Sequence, residues 1–405
     1  MSDFIKTSWK EVSISDLISD ITTGVSVNSE NRERGANEVG ILKTSCISRG
    51  QFFLEEHKAV LTEEVERVKT PLKADSILMS RMNTPNLVGE VGYVQHSHPD
   101  IYLPDRLWMF RGKDGKADTL FLTQLFSSTE FRQRLGDIAT GTSGSMKNIP
   151  QKSFLQIPVQ LPPLPEQEKI AEILSGMDEL ILRNEMLLVK NQQLMKAVLS
   201  AMLEKLEKGF KHSEKMIEEI FREISIPEAH NSATPLYSLT IESGLVPKPE
   251  RYIRDFLLTD KDKDNYKQIC KGDFVMNPMN LRWGAISTFR ETSAVKVSKY
   301  YTTFRALESL TSSNLYEFLF RSDRNLCLYE RIATGSLIEK MRVHWSAFKK
   351  LKVPFPPFEE QQKFDDISSS FELKITRMKI LIEKQKAFRS ALSSDLLSGR
   401  KRVRI

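Results

Sequence analysis

From Glu166 to Glu207 the apolar residues fall alternately three and four apart, at Ile170, Ile173, Met177, Leu180, Leu187, Leu194, Val198 and Ala201. Asn184 and Asn191 stand where the same spacing asks for two more. This is the heptad seam of a helix that lies along another helix. The proline-rich run Ile157-Pro158-Val159-Gln160-Leu161-Pro162-Pro163-Leu164-Pro165 before it cannot be helical, whereas Glu166 and Glu168 suit the positive end of a helix dipole. Neither Gly nor Pro interrupts Met177 to Glu207, and Gly209 is a natural stop. About 40 residues at ~1.5 Å each predict a helix roughly 60 Å long.

A second helix with the same phase is predicted near the C-terminus. It carries Phe364, Ile367, Phe371, Met378, Leu381, Gln385, Phe388 and Leu392 and ends near Gly399. The match goes beyond periodicity. Residues 139–203 recur without a gap at 333–397, an offset of 194, with 19 of 65 paired positions identical. Ala139-Thr140-Gly141 returns as Ala333-Thr334-Gly335, Phe154 as Phe348, Pro162-Pro163 as Pro356-Pro357, and Glu166-Gln167-x-Lys169 as Glu360-Gln361-x-Lys363. A repeat this long, occurring twice, predicts two copies of one module. The expected limits are a globular domain over 1–160, a helix over 161–208, a second globular domain over 209–355 and a second helix over 356–405. Neither helix can bury its stripe in a small domain alone. The expected fold is therefore α+β: two globular parts of mixed sheet and helices, with the two long helices packed as an antiparallel coiled coil around a pseudo-two-fold. Asn191 and Gln385 share one phase, and polar residues at such positions set register.

The globular parts are less alike. Lys73-Ala74-Asp75-Ser76-Ile77-Leu78 pairs with Lys271-Gly272-Asp273-Phe274-Val275-Met276, a turn into a buried strand in each. Leu125-Phe126 pairs with Leu319-Phe320 on a predicted short helix.

At 405 residues, 40% hydrophobic and 28% charged, the composition is that of an ordinary globular protein. No run approaches the ~18 apolar residues of a membrane span, so no membrane association is expected. Cys46, Cys270 and Cys327 are odd in number and far apart, which predicts a reducing, cytoplasmic setting and neither disulfides nor a zinc site. A net charge of +6 is compatible with a polyanionic partner without demanding one.

A globular part, then Ile-Pro-x-x-Leu-Pro-Pro-Leu-x-Glu-Gln, then a long heptad helix, all done twice, resembles the specificity subunits of Type I restriction–modification systems. The strongest residues are 157–167 with Thr140-Gly141 upstream; Val353-Pro354-Phe355-Pro356-Pro357-Phe358-Glu359-Glu360-Gln361 is more diverged but in register. The resemblance implies that the variable parts are target-recognition domains, each reading one half of a split sequence in double-stranded DNA. It implies helices that set the gap and dock two methyltransferase subunits, with restriction subunits joining them. It also implies a non-catalytic chain that binds no cofactor, S-adenosylmethionine, ATP and Mg belonging to the partners.

Affinity for DNA comes from Lys and Arg on phosphates, and specificity from polar side chains on base edges. The candidates in the first domain are Arg32, Arg34, Lys43, Thr44, Arg81, Asn83, Thr142, Ser143, Ser145, Lys147 and Asn148. The last five follow the repeated Ala-Thr-Gly in a flexible, cationic stretch, and are the best placed for a groove. In the second domain the candidates are Asn277, Asn280, Arg282, Trp283, Lys340 and Arg342. For each, the competing reading is a solvated loop.

Catalytic patterns are weak. Asn277-Pro278-Met279-Asn280 lacks the second proline and aromatic residue of an amino-methyltransferase motif, and no Gly-x-Gly occurs in the chain. Asp105 with Asp114-Gly115-Lys116 imitates a nuclease pattern, but Asp-Gly here is ordinary turn chemistry. His96-x-His98 has no third ligand and is followed by Pro99. The basic tail Arg400-Lys401-Arg402-x-Arg404 reads as a solvated end. The rivals to DNA recognition are a coiled-coil scaffold and an anti-restriction mimic that competes for the same partners.

Overall fold

A computed structural model describes residues 9–48, 50–141, 146–229, 233–248, 266–308, 311–336 and 341–404. The chain forms two compact units, one of residues 1–185 with 381–405 and the other of residues 186–380. Their boundaries cut across the long helices. Each unit therefore holds a globular head, the first half of the helix that follows it and the second half of the other helix.

The first head is built on an antiparallel four-stranded sheet in the order Val91–Val94, Ser76–Ser80, Leu107–Phe110, Thr22–Thr23. Ser76–Ser80 is buried throughout, as its apolar run requires. The helix Thr119–Ser127 contributes Phe121 and Phe126, both fully buried, to the main core. A second sheet of five short strands joins Gly40–Leu42 to His98–Tyr102 in parallel and is otherwise antiparallel. Lys10–Ser13 pairs with Pro158–Leu161, closing the head where the chain leaves for the helix.

The second head repeats this plan. Its four-stranded sheet runs Ile286–Thr288, Phe274–Met276, Thr302–Ala306, Phe221–Ile224, the same connectivity as in the first. Glu214–Met216 pairs with Lys352–Pro354 as the closing ladder. Phe348, like its equivalent Phe154, is fully buried.

The long helices run Leu164–Gly209 and Phe358–Leu397. The repeated glutamine sits at the root of each. The Gln167 side-chain oxygen accepts from the Asp118 amide at 2.9 Å, while its NH2 donates to Pro162 O at 2.9 Å and Lys116 O at 3.1 Å. Gln361 likewise accepts from the Ser312 amide at 2.9 Å and donates to Pro356 O at 2.8 Å. Asp118 and Ser312 are the N-caps of Thr119–Ser127 and Ser313–Phe320. A buried amide thus ties each head's helix to the start of a long helix. That role explains why the residue recurs, since one Gln supplies both donor and acceptor.

Within the first unit the helix segments run antiparallel: Glu166, Asp178 and Glu185 meet Arg402, Arg389 and Lys386 in that order. Asn184 donates to Gln385 at 3.0 Å in the same seam. Within the second unit Leu199, Leu203 and Leu206 share a core with Phe364.

The seam departs from the sequence reading in one regular way. Ile170, Phe364 and Asn191 are buried, and Met177, Val198, Phe371, Met378, Gln385 and Leu392 are half-buried. Leu180, Leu187 and Leu194 are exposed, as are Ile367, Leu381 and Phe388, the last to 60%. Ile173 is half-buried. The second inward position of each heptad falls one residue later, at Leu174, Ile181, Leu188 and Met195 and at Ser368, Ile375, Ile382 and Arg389. Two adjacent apolar stripes run along each helix. Hydropathy favoured the wrong one, because the seam that packs contains Ser368 and Arg389.

The basic tail is also not a solvated end. Arg402 binds Glu166 through two hydrogen bonds of 2.6 and 2.7 Å, and Arg400 and Lys401 pair with Asp395. No helix among the described residues is long and apolar enough to cross a membrane.

Candidate nucleic-acid interface

Several candidate residues of the first head, far apart in sequence, meet at one end of its four-stranded sheet. The strand Ser76–Ser80 ends at Arg81, and Met82–Asn83 turns back to pair with Lys147–Asn148. The Ile149 amide donates to Arg81 O at 2.8 Å. Arg81 in turn donates through its amide to Arg106 O at 3.1 Å and through Nε to Asp105 O at 2.8 Å. Arg106 thus joins the group, exposed, at the start of the neighbouring strand. Asn83 is engaged locally: its NH2 donates to Ser80 Oγ and its oxygen accepts from the Thr84 amide at 2.8 Å. Lys147 pairs with Asn83 through the backbone ladder, while its side-chain ammonium has no hydrogen bond or ion pair among the described residues and is available to a ligand. Buried Asn148 Oδ1 has no hydrogen-bond partner there either. The repeated Thr140 exchanges two 2.8 Å backbone hydrogen bonds with Asn148 and so closes the loop. Thr142, Ser143 and Ser145 lie outside the described residues.

The second head has the corresponding edge. Thr334 and Arg342 exchange 2.9 Å backbone hydrogen bonds, and the Val343 amide donates to Pro278 O at 2.9 Å. Val343 is the repeat equivalent of Ile149. The turn after Phe274–Met276 is shaped by Asn277, whose Oδ1 accepts from the Met279 amide, and by Asn280, whose carbonyl accepts from the Trp283 amide. Gly284, at φ +86°, closes it in a conformation that L side chains resist. Met276 faces Thr302 across the sheet, which brings Lys299 and Tyr300 to the same end. Trp283 is 49% exposed and Tyr300 77%. Lys340 lies outside the described residues.

Arg282 does not fit its expected role. It is buried, ion-paired to Glu330 at 3.2 Å, and its guanidinium lies 4.8 Å from the Trp283 ring centre. It supports the exposed indole from beneath instead of reaching outward.

Arg32, Arg34, Lys43 and Thr44 are not part of this edge. They border the five-stranded sheet, and their charge is already answered. Arg32 binds Glu38 and Glu30 at 2.6–2.7 Å, and it holds the Glu38 carboxyl down to about 2, helped by the Gly35 amide. Arg34 donates to the carbonyls of Gly35 and Glu38 and lies 3.7 Å from Asp100. Lys43 is 3.7 Å from Glu56, and Thr44 begins a single 3-10 turn.

The sequence reading missed Arg106, Lys299 and Tyr300. Cross-strand register alone brings them to the edge. The one available signal was the Lys-Tyr-Tyr run at 299–301, immediately before a strand.

Fold and edge together define a class: a chain with two similar heads, each rooted on a long helix, carrying chemically different loops on one shared scaffold. Residues 6–191 match the family described as Type I restriction modification DNA specificity domain. Over that stretch, a little under half of the chain, the sequence is similar to that domain. The specificity subunit of the Type I restriction enzyme MjaVIII from Methanocaldococcus jannaschii is 28% identical over 177 residues, 43% of this chain. The match spans 40% of that relative's length. Two solved structures share the fold across the whole chain. The S subunit of a Type-I restriction-modification system from M. genitalium gives a TM-score of 0.58 at 15% identity, covering 98% of each chain. A chain from a study of complex assembly and conformational transition in the type I R-M system gives 0.54 at 15% identity, covering 98% of this chain and 99% of that one.

Proposed function

We propose that this chain is the non-catalytic, sequence-reading subunit of a DNA-modifying complex, and that each head reads one half of a bipartite site in duplex DNA. One observation carries this reading. The same turn-and-strand edge occurs in both heads, with Arg81, Arg106 and Lys147 in the first and Trp283, Tyr300 and Arg342 in the second. A conserved frame with unlike tips is what two readers of different half-sites need. Cationic and amide groups suit phosphates and purine edges, and aromatic faces suit thymine methyls and exposed bases.

The long helices then serve as spacer and dock. The apolar positions that their seams leave exposed, Leu180, Leu187 and Leu194 on one and Ile367, Leu381 and Phe388 on the other, supply the docking surface. Two methyltransferase subunits would sit there, with restriction subunits joining them and S-adenosylmethionine, ATP and Mg held by those partners. Modification of a base requires taking it out of the stack, a task for the partner and not for this chain.

Methylation-aware sequencing of host DNA with and without the gene tests this. The expected result is one split motif with two unlike halves that loses methylation when the gene is removed. A methylome that does not change contradicts the proposal.

A further inference from the structure

Each head is pinned to its long helix a second time, well beyond the glutamine at the root. In the first unit Arg389 donates to both carboxylate oxygens of Asp178, at 2.8 and 2.9 Å, and to the Gln124 side-chain oxygen at 2.5 Å. Gln124 closes the triangle by donating to Asp178 at 3.2 Å. Gln124 belongs to the head helix Thr119–Ser127, and Asp178 to the long helix. In the second unit Arg290 donates to both oxygens of Glu372, at 2.9 and 3.2 Å, and to Glu317 at 2.9 Å. Glu317 belongs to the head helix Ser313–Phe320, and Glu372 to the other long helix. It also accepts from Ser287 Oγ and the Thr288 amide, each at 3.1 Å.

Asp178 and Glu372 are equivalent in the repeat, 194 residues apart. The arginines are not. Arg389 comes from the opposing long helix, and its repeat position in the second unit is Met195, while Arg290 comes from the head itself. The same joint has been closed from two directions around one retained carboxylate position. Asp178 lies 11 residues after Gln167 and Glu372 lies 11 after Gln361, about 16 Å along the helix in each case. The shared apolar core holds each head against its helix without prescribing direction; two polar pins that far apart add a directional constraint on its angle. The Arg389–Asp178 fork is bidentate and constrains direction as well as distance, while Arg290 spreads its two terminal nitrogens over Glu372 and Glu317 and so ties the two carboxylates together.

We propose that the two clamps, Arg389–Asp178–Gln124 and Arg290–Glu372–Glu317, are positioning devices that set the angle at which each head leaves its helix. Through that angle they set the gap over which two half-sites can be engaged together. This rests on the bipartite reading above. The clamp residues touch no DNA.

The test uses the full chain assembled with methyltransferase subunits, on duplexes whose half-sites are separated by the native gap or by one base pair more or fewer. Arg389→Ala and Glu372→Gln are expected to keep methylation at the native gap within about twofold, while preference over the altered gaps falls about tenfold, as expected when a charge-assisted contact is lost. The swap Asp178→Arg with Arg389→Asp restores the preference, a rescue that general weakening of the fold would not allow. Glu372→Gln is nearly isosteric and leaves Arg290 on Glu317, so it guards against simple unfolding. Unchanged gap preference in both variants, or an equal loss on all three duplexes, overturns the clamp. A parent chain indifferent to gap length overturns the bipartite reading itself, which the variants do not address.

Discussion

The Glu166 carboxylate is 1% exposed and is gripped by the Arg402 guanidinium through paired hydrogen bonds of 2.6 and 2.7 Å, with the Trp9 indole N–H 3.2 Å away. Trp9 and Arg402, far apart in sequence, thus meet at the root of the helix Leu164–Gly209. Burial pushes the Glu166 pKa up, but Arg402 and Trp9 outweigh it and leave the group below its ordinary range. A depressed pKa means stability that is present above the ordinary glutamate range and is lost as pH falls through the folded value. Arg402→Ala should cost on the order of 2 kcal/mol at neutral pH, as loss of charged hydrogen bonds to a buried group does. It should also reverse the trend, because an orphaned buried carboxylate is relieved by protonation. Thermal melts between pH 7 and 4 check this, and parallel curves for variant and parent would refute it. Glu360, the repeat equivalent, pairs with Lys363 in solvent, and Glu360→Gln should leave melting unchanged.

The shifted seam separates two leucine-like stripes by stability. Ile382 is 4% exposed and Leu180 is 43% exposed, both in the first unit. Ile382→Ala should destabilise by about 2–4 kcal/mol, as core truncations do. Leu180→Ala should stay within about 0.5 kcal/mol. Chemical denaturation of both variants reads the difference directly; equal costs would restore the simple heptad reading.

Tyr329 is fully buried, and its hydroxyl has no hydrogen-bond partner among the described residues. Burial drives its pKa far up, and its repeat equivalent is Leu135. Removing an unsatisfied polar group should help, so Tyr329→Phe is expected to be neutral or stabilising by up to about 1 kcal/mol. A clear loss in melting temperature would mean the hydroxyl has a partner.

Charge available to DNA should be separable from charge already spent within the protein. Lys147→Ala is expected to weaken binding to cognate duplex and to lower the slope of log affinity against log salt by about 1. Arg32→Ala, removed from a pair of glutamates, is expected to leave that slope alone. Titrations at several salt concentrations distinguish them; equal slopes for the two variants would displace the interface from the Arg81–Lys147 edge.

The sequence carried the large features because they are periodic or repeated. Both long helices, their proline-bounded starts and the correspondence of the two heads followed from spacing and the 194-residue offset. Phase was harder. The inward position at 389 is an arginine that becomes tolerable only once Asp178 and Gln124 stand opposite, and no hydropathy pattern contains that information. The edge residues divided along the same line. Arg81 and Lys147 each stood in a polar loop, but only the pairing of Met82–Asn83 with Lys147–Asn148 brings them together. Arg32 and Arg282 looked as promising in one dimension, until Glu30 and Glu38 met the first and burial against Glu330 claimed the second.

Two independent readers on one frame is the central claim, and exchanging one of them tests it most directly. Residues 1–160 would be replaced by the corresponding head of a related chain, and the methylated motif mapped base by base in cells that hold the partner subunits. The account predicts that one half of the motif changes while the other half and the gap between them remain. A motif altered in both halves, or in neither, would contradict it.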